Sequence, residues 1–222
     1  MEENHNIFKI IDKNGNVLEK NFDFELNQDV LYPNIFYFEN KVYLEEVQNA
    51  NDCRKVVYRD ITSLKDLILA AEIDKLTGFY NKNHLMAKLT SLVNKKINFS
   101  IIFGDIDNFK KINSTRGRFN ADKVLKRIGE IFLSEFKKPE LVFRFGGDEM
   151  FILTQEQDLP LLKERCQNIN SNIIRDCEAS CSFGIAHYNY ELSMEENLNK
   201  LDMMLSESKE NGKNLITIEG EQ

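Results

Sequence analysis

What this 222-residue chain lacks bounds it first. No apolar run approaches the length of a membrane span, so no membrane partner is expected. The N-terminus, "MEENHNIFKIID", is acidic and has neither the basic nor the apolar region of a secretory signal peptide. A positive excess is missing too: the net charge is −7. Phosphate backbones need a basic footprint, so no nucleic-acid partner is expected, although a nucleotide needs only a few local cations. Cysteine is sparse, at positions 53, 166, 177 and 181, with no CxxC pair. Reduced thiols and a cytoplasmic location are the expectation. Cys177 and Cys181 are expected on one face of one strand, where packing suits them better than a mutual bond. Internal repeats and low-complexity segments are absent.

What is present is ordinary globular material, 42% hydrophobic and 29% charged, enough for one large domain or one plus a small one. Residues 6 to 58 read as short strands. "IFKIIDKNGNVLEK" places two apolar runs around an Asn14-Gly15 turn signal, and "NIFYFENKVYLEEV" repeats the pattern around Glu39-Asn40-Lys41. "CRKVVYRDIT" adds a strand. This β-rich unit, 1–60, is thin for an independent core. Residues 61–73 are expected to form a linker helix, with Ser63 and Asp66 at its start and Leu64, Leu67, Ile68 and Ala71 as an apolar stripe. That stripe packs either within its own chain or against a second copy.

From residue 74 to 222, strands and helices alternate. "FSIIFGDI" (99–106) is a continuous apolar run, expected to be a strand buried on both faces. Residues 121–136 place Val124, Leu125, Ile128, Ile131 and Phe132 on one helical face. A hairpin (141–154), a helix (159–174) with Leu162, Cys166, Ile169 and Ile173 inward, a strand (178–188), a helix (194–209) and a strand (214–219) follow. The fold class is α/β (α+β), a sheet covered by helices.

Two acidic pairs interrupt this scaffold. "RFGGDEMF" (144–151) puts Asp148 and Glu149 at a hairpin tip behind Gly146-Gly147, glycines that permit φ > 0 and a close ligand. "FGDIDNFKKIN" ends the dry strand in Asp105 and Asp107, with Lys110 and Lys111 just beyond. Carboxylates gathered at a sheet end suit a hard cation such as Mg²⁺, which leaves positions for substrate phosphates, and flanking lysines suit phosphoryl or nucleotidyl transfer. Spacing alone leaves a second reading open, in which these acids are solvated turns.

The motifs together resemble the GGDEF family of diguanylate cyclases. "GGDEM" (146–150) is similar to its signature, with Met150 for the final Phe; "DKLTGFYNK" (74–82), "GDIDNFKKIN" (104–113), "CSFGIA" (181–186) and "SESKENGKN" (206–214) resemble its other motifs in order and spacing. The resemblance implies a five-stranded central sheet with helices on both faces. It implies a nucleotidyltransferase that condenses two GTP into cyclic di-GMP, releasing pyrophosphate, as a homodimer. It implies Mg²⁺, with Mn²⁺ as substitute, held by Asp105, the Ile106 carbonyl, Asp148 and Glu149. Phosphate contacts fall on Lys110 and Lys209, guanine contacts on Asn113 and Asp122, and further substrate contacts on Phe109 and Lys213. Asp148, Glu149 and Lys110 are the implied catalytic groups.

Departures from the family pattern are Ser114, Arg118, Ala121 and Lys213, none of which removes an implied metal ligand. They leave a catalytically degenerate GTP-binding module as the alternative. Many members carry R-x-x-D five residues before the glycines, where product binds; here the stretch is Lys137-Lys138-Pro139-Glu140. "VVYRDIT" is similar to the exit of PAS sensor domains, so the N-terminal unit is expected to be a shortened PAS-like sheet taking a small-molecule or protein signal, or a dimerisation platform. His5, His84 and His187 are expected to be structural or surface residues.

Overall fold

A computed structural model describes residues 7–23, 25–28, 35–38, 41–50, 53–62 and 72–221. The chain divides into two compact units, Met1–Ala71 and Glu72–Gln222.

The first unit is one antiparallel sheet of β1 (Ile7–Asp12), β2 (Val17–Lys20), β3 (Asn27–Gln28), β4 (Ile35–Phe38), β5 (Lys41–Ala50) and β6 (Cys53–Asp60), in the order β2-β1-β6-β5-β4-β3. The Asn14-Gly15 turn forms because Gly15 takes φ +90°, and the Asp12 carboxylate accepts from the amides of Asn14 (2.8 Å) and Asn16 (2.9 Å). The core is small: Tyr43, Val56 and Tyr58, with Phe22 and Phe36 edge-on to Tyr58. The expected stripe of Leu64, Leu67, Ile68 and Ala71 lies outside the described residues, as do Ser63, Asp66, His5, Glu39 and Asn40. Among the described residues, no helix is long and apolar enough to cross a membrane.

The second unit has a mixed sheet of β7 (Tyr80–Asn81), β8 (Ser100–Ile106), β9 (Leu141–Arg144), β10 (Glu149–Thr154), β11 (Cys181–His187) and β12 (Ile216–Ile218). Its order is β12-β11-β8-β10-β9-β7: five strands, with the two-residue β7 added at one edge. Its helices are α1 (Lys82–Asn94), α2 (Phe109–Arg116), α3 (Arg118–Glu135), α4 (Leu159–Cys177) and α5 (Met194–Glu210).

Central β8 is buried at every residue, as its unbroken apolar run predicts. Alternate residues split between the faces. Ile102 and Ile106 join Val124, Ile128 and Phe132 of α3 and Leu162, Cys166 and Ile169 of α4 in one core. On β11, Gly184 lies beneath α5, close enough that a Cβ there would sit 2.8 Å from the Leu201 carbonyl.

One expectation fails. Cys177 is the last residue of α4 and Cys181 the first of β11, so they do not share a strand. The helical stripe Ile169, Ile173, Cys177 continues at i+4 and keeps the chain helical until Glu178 turns left-handed (φ 52°). All four cysteines are free.

Candidate functional site

Antiparallel register assembles the acids. In the β8–β10 pair, Asp105 lies opposite Glu149, and the Ile106 amide donates to the Asp148 carbonyl at 3.1 Å. Asp105, Ile106, Asp148 and Glu149 therefore meet at one end of the sheet. Lys209, in the last turn of α5, reaches Asp105 at 2.9 Å. The Asp105 carboxyl is pushed up to about 6, chiefly by burial; Lys209 opposes the rise, and the neighbouring Asp148 and Glu149 add to it.

Among the described residues no three His, Cys, Asp or Glu side chains form a ready metal cage. Mg²⁺ typically takes one or two carboxylates and completes its shell with water and substrate phosphates. The hard oxygens of Asp105, Ile106 and Asp148, brought together at one sheet end by the β8–β10 register, fit that requirement.

The hairpin turn is held by Arg144, the last residue of β9. Arg144 donates from Nη2 to the Gly147 carbonyl (2.7 Å), from Nε to the Gly146 carbonyl (3.1 Å) and from Nη1 to Asp74 (3.1 Å). Asp74 also accepts from the Thr77 amide (2.9 Å) and hydroxyl (2.7 Å). Burial raises the Asp74 carboxyl, but the Thr77 hydrogen bonds and Arg144 outweigh it and hold the group below its usual range. The "DKLTG" turn is thus a strut for the acidic turn, a link that spacing did not disclose.

The glycines act differently from expectation. Neither Gly146 nor Gly147 has positive φ. Residues 145–148 between the strands exceed a two-residue turn and close without a left-handed residue. A Cβ at Gly146 would lie 2.4 Å from Glu149 Oε2, the movable end of that side chain. Gly147 faces open space.

Asp107 separates chemically from Asp105. Its buried carboxylate accepts from the Ser180 hydroxyl (2.6 Å), the Ser182 hydroxyl (2.7 Å) and the Asn214 amide (2.9 Å). It clamps the closing segment onto the β8–α2 turn. Beside it, Lys213, left-handed at φ 65°, donates to Asn108 Oδ1 at 2.6 Å.

The other sequence-derived residues are distributed along α2 and α3. Lys110 is exposed in the first turn of α2, where no side chain caps the helix start, and a helix N-terminus favours phosphate. The Phe109 side chain is buried in the core, so only its main chain is available there. Asn113 is exposed on α2 and Asp122 half-buried on α3, helices that pack together. At the product-site position, Glu140 is already bound: Arg165 donates to it at 2.6 and 2.8 Å and also pairs with Glu135 at 3.1 Å. His84 is buried and stacked on Tyr80, and His187 contacts Ser100.

Residues 71–215 match the family described as "Diguanylate cyclase, GGDEF domain". The chain is 30% identical over 158 residues to "Diguanylate cyclase DgcS" of Shewanella oneidensis, covering 68% of this chain and 53% of that protein. It is 28% identical over 161 residues to "Probable diguanylate cyclase DgcT" of Escherichia coli K12, covering 67% and 36%. The chain thus spans about half or less of the length of these curated relatives. Among solved structures it resembles the coiled coil and GGDEF domain of DgcB from Caulobacter crescentus in complex with c-di-GMP: TM-score 0.63, 19% identity, 71% of this chain and 90% of that one. It also resembles diguanylate cyclase SiaD in complex with its activator SiaC from Pseudomonas aeruginosa: TM-score 0.62, 22% identity, 71% and 66%.

Proposed function

The chain belongs to the GGDEF family, and from that premise we propose that it is an active diguanylate cyclase, joining two GTP into cyclic di-GMP with release of two pyrophosphates. The observation that carries this is the Asp105–Glu149 register with Lys209 on Asp105: acids and a cation at one sheet end, where a triphosphate and its counter-ion fit.

In this reading Asp105, the Ile106 carbonyl and the hairpin acids Asp148 and Glu149 hold Mg²⁺ or Mn²⁺. When bound, that ion neutralises the triphosphate and eases ionisation of the attacking 3′-hydroxyl. Lys110 and the start of α2 orient phosphate oxygens, with Lys209 and Lys213 as further cations. Asp122 accepts from N1–H and the amino group of guanine while Asn113 satisfies the remaining edge; adenine lacks that donor pair. An acid of the hairpin takes the proton of the 3′-hydroxyl as it attacks the α-phosphorus of the second GTP. Because each domain holds one GTP, the working species is a homodimer with two domains face to face.

The test is incubation of the full chain with GTP and Mg²⁺, followed by chromatography of the nucleotides. Cyclic di-GMP and pyrophosphate are expected, and ATP is expected to yield no cyclic dinucleotide. Tight GTP binding without product would instead indicate a regulatory module, in line with the departures at Ser114, Arg118 and Ala121.

A further inference from the structure

Phe119 is 73% exposed, matched among the large apolar side chains of the described residues by Met203 alone. Single exposed apolar residues are common, so exposure by itself is uninformative. Its place is informative. It stands in the first turn of α3, three residues before Asp122, and residues three apart lie side by side on a helix, about 5–6 Å between Cβ atoms. Anything held by the Asp122 carboxylate is therefore within reach of the Phe119 ring.

Two neighbours prepare the ring. Lys123, at i+4, holds its ammonium 4.5 Å from the ring centroid, placing a cation over one face. Gly117, between α2 and α3, has nothing within 4 Å of where a Cβ would stand, so the backbone two residues before the ring is open. The turn itself is ordered, because Asn120 donates from Nδ2 to the Arg116 carbonyl at 2.9 Å and from its amide to the Gly117 carbonyl at 3.2 Å.

We propose that Phe119 is a base-binding residue: the purine read at its edge by Asp122 and Asn113 lies against the Phe119 ring, with Lys123 on the ring's other face. This rests on the GTP reading of the same site. The division of labour is physical. Stacking acts on the π-face that every base has, so Phe119 supplies affinity, whereas the carboxylate supplies the choice of base.

The absence of tryptophan from the chain makes the test direct. Phe119→Trp introduces a single indole at the proposed contact, and Met203→Trp, on α5, introduces one at an equally exposed position outside the site. Both full-length variants are titrated with the α,β-methylene analogue of GTP in Mg²⁺, which binds without turnover. Saturable quenching is expected for the first and none for the second. In calorimetry, Phe119→Ala is expected to weaken the analogue about tenfold, and the inosine analogue by the same factor, with Phe119→Tyr restoring affinity. If wild type binds the analogue and Phe119→Ala binds it equally, or if both tryptophans respond alike, this inference fails while the GTP reading stands. If wild type does not bind, both fall.

Discussion

Asp148 and Arg144 act at the same turn by different means. Asp148 contributes charge to a site where Asp105 is already raised, chiefly by burial and further by Asp148 and Glu149. Asp148→Asn keeps the shape and removes the charge. We expect cyclic di-GMP synthesis to fall by more than about a hundredfold, because loss of even outer-sphere support at metal sites commonly costs 10–100-fold. The melting temperature should stay unchanged, and near-normal synthesis would refute the proposed metal role. Arg144 contributes position: its guanidinium joins two turn carbonyls to Asp74. Arg144→Ala leaves a half-buried carboxylate without its cation. We expect it to cost about 2 kcal/mol, the scale of hydrogen bonds to charged groups, measured by urea denaturation.

At the scale of elements, small residues decide how closely pieces approach. Gly129 of α3 lies under the "DKLTG" turn, where a Cβ would come within 2.4 Å of the Thr77 carbonyl. Main chain cannot yield there as a flexible side chain can. Gly129→Ala is expected to destabilise the unit by about 1–3 kcal/mol, as overpacking does. Gly147→Ala, facing open space, should change stability by less than about 0.5 kcal/mol. The α3–β9 connection supports a second expectation. Lys137 lacks the planar fork of arginine, and Glu140 is committed to Arg165, so feedback through this stretch should be weak or absent. Calorimetric binding of cyclic di-GMP that is tight in wild type and lost in Lys137→Ala would contradict it.

At the scale of the molecule, the proposed reaction needs two copies, and separate domains meet at a rate set by concentration. A tether turns that encounter into an intramolecular one, with effective concentrations of order mM for short links. The N-terminal sheet and the stripe of Leu64, Leu67, Ile68 and Ala71 are the candidates for that link. We expect residues 70–222 alone to fold and bind GTP but to turn over slowly, with specific activity rising steeply with enzyme concentration. The full chain should show a weaker dependence. Equal specific activity of both across a hundredfold dilution would show that the N-terminal part is not the device.

Much was legible in the sequence because it is local. The unbroken run of β8, the stripes of α3 and α4 and the Asn14-Gly15 turn each express a period or a turn preference carried by adjacent residues. α1 and α2 escaped such reading: α1 is capped by Asn81, the last residue of β7, whose side chain accepts from the His84 amide, and eight-residue α2 has no side-chain cap bond. The motifs made the family recognisable and singled out Asp105, Asp148, Glu149 and Lys209. Only the tertiary structure decided what each acid does. Asp105 and Asp107, two residues apart, diverge because one faces Lys209 and the other is enclosed by Ser180, Ser182 and Asn214. Asp74 and Arg144, 70 residues apart, become one strut. A carboxylate's role depends on what surrounds it, and those partners come from distant parts of the chain that only strand register and helix packing bring together.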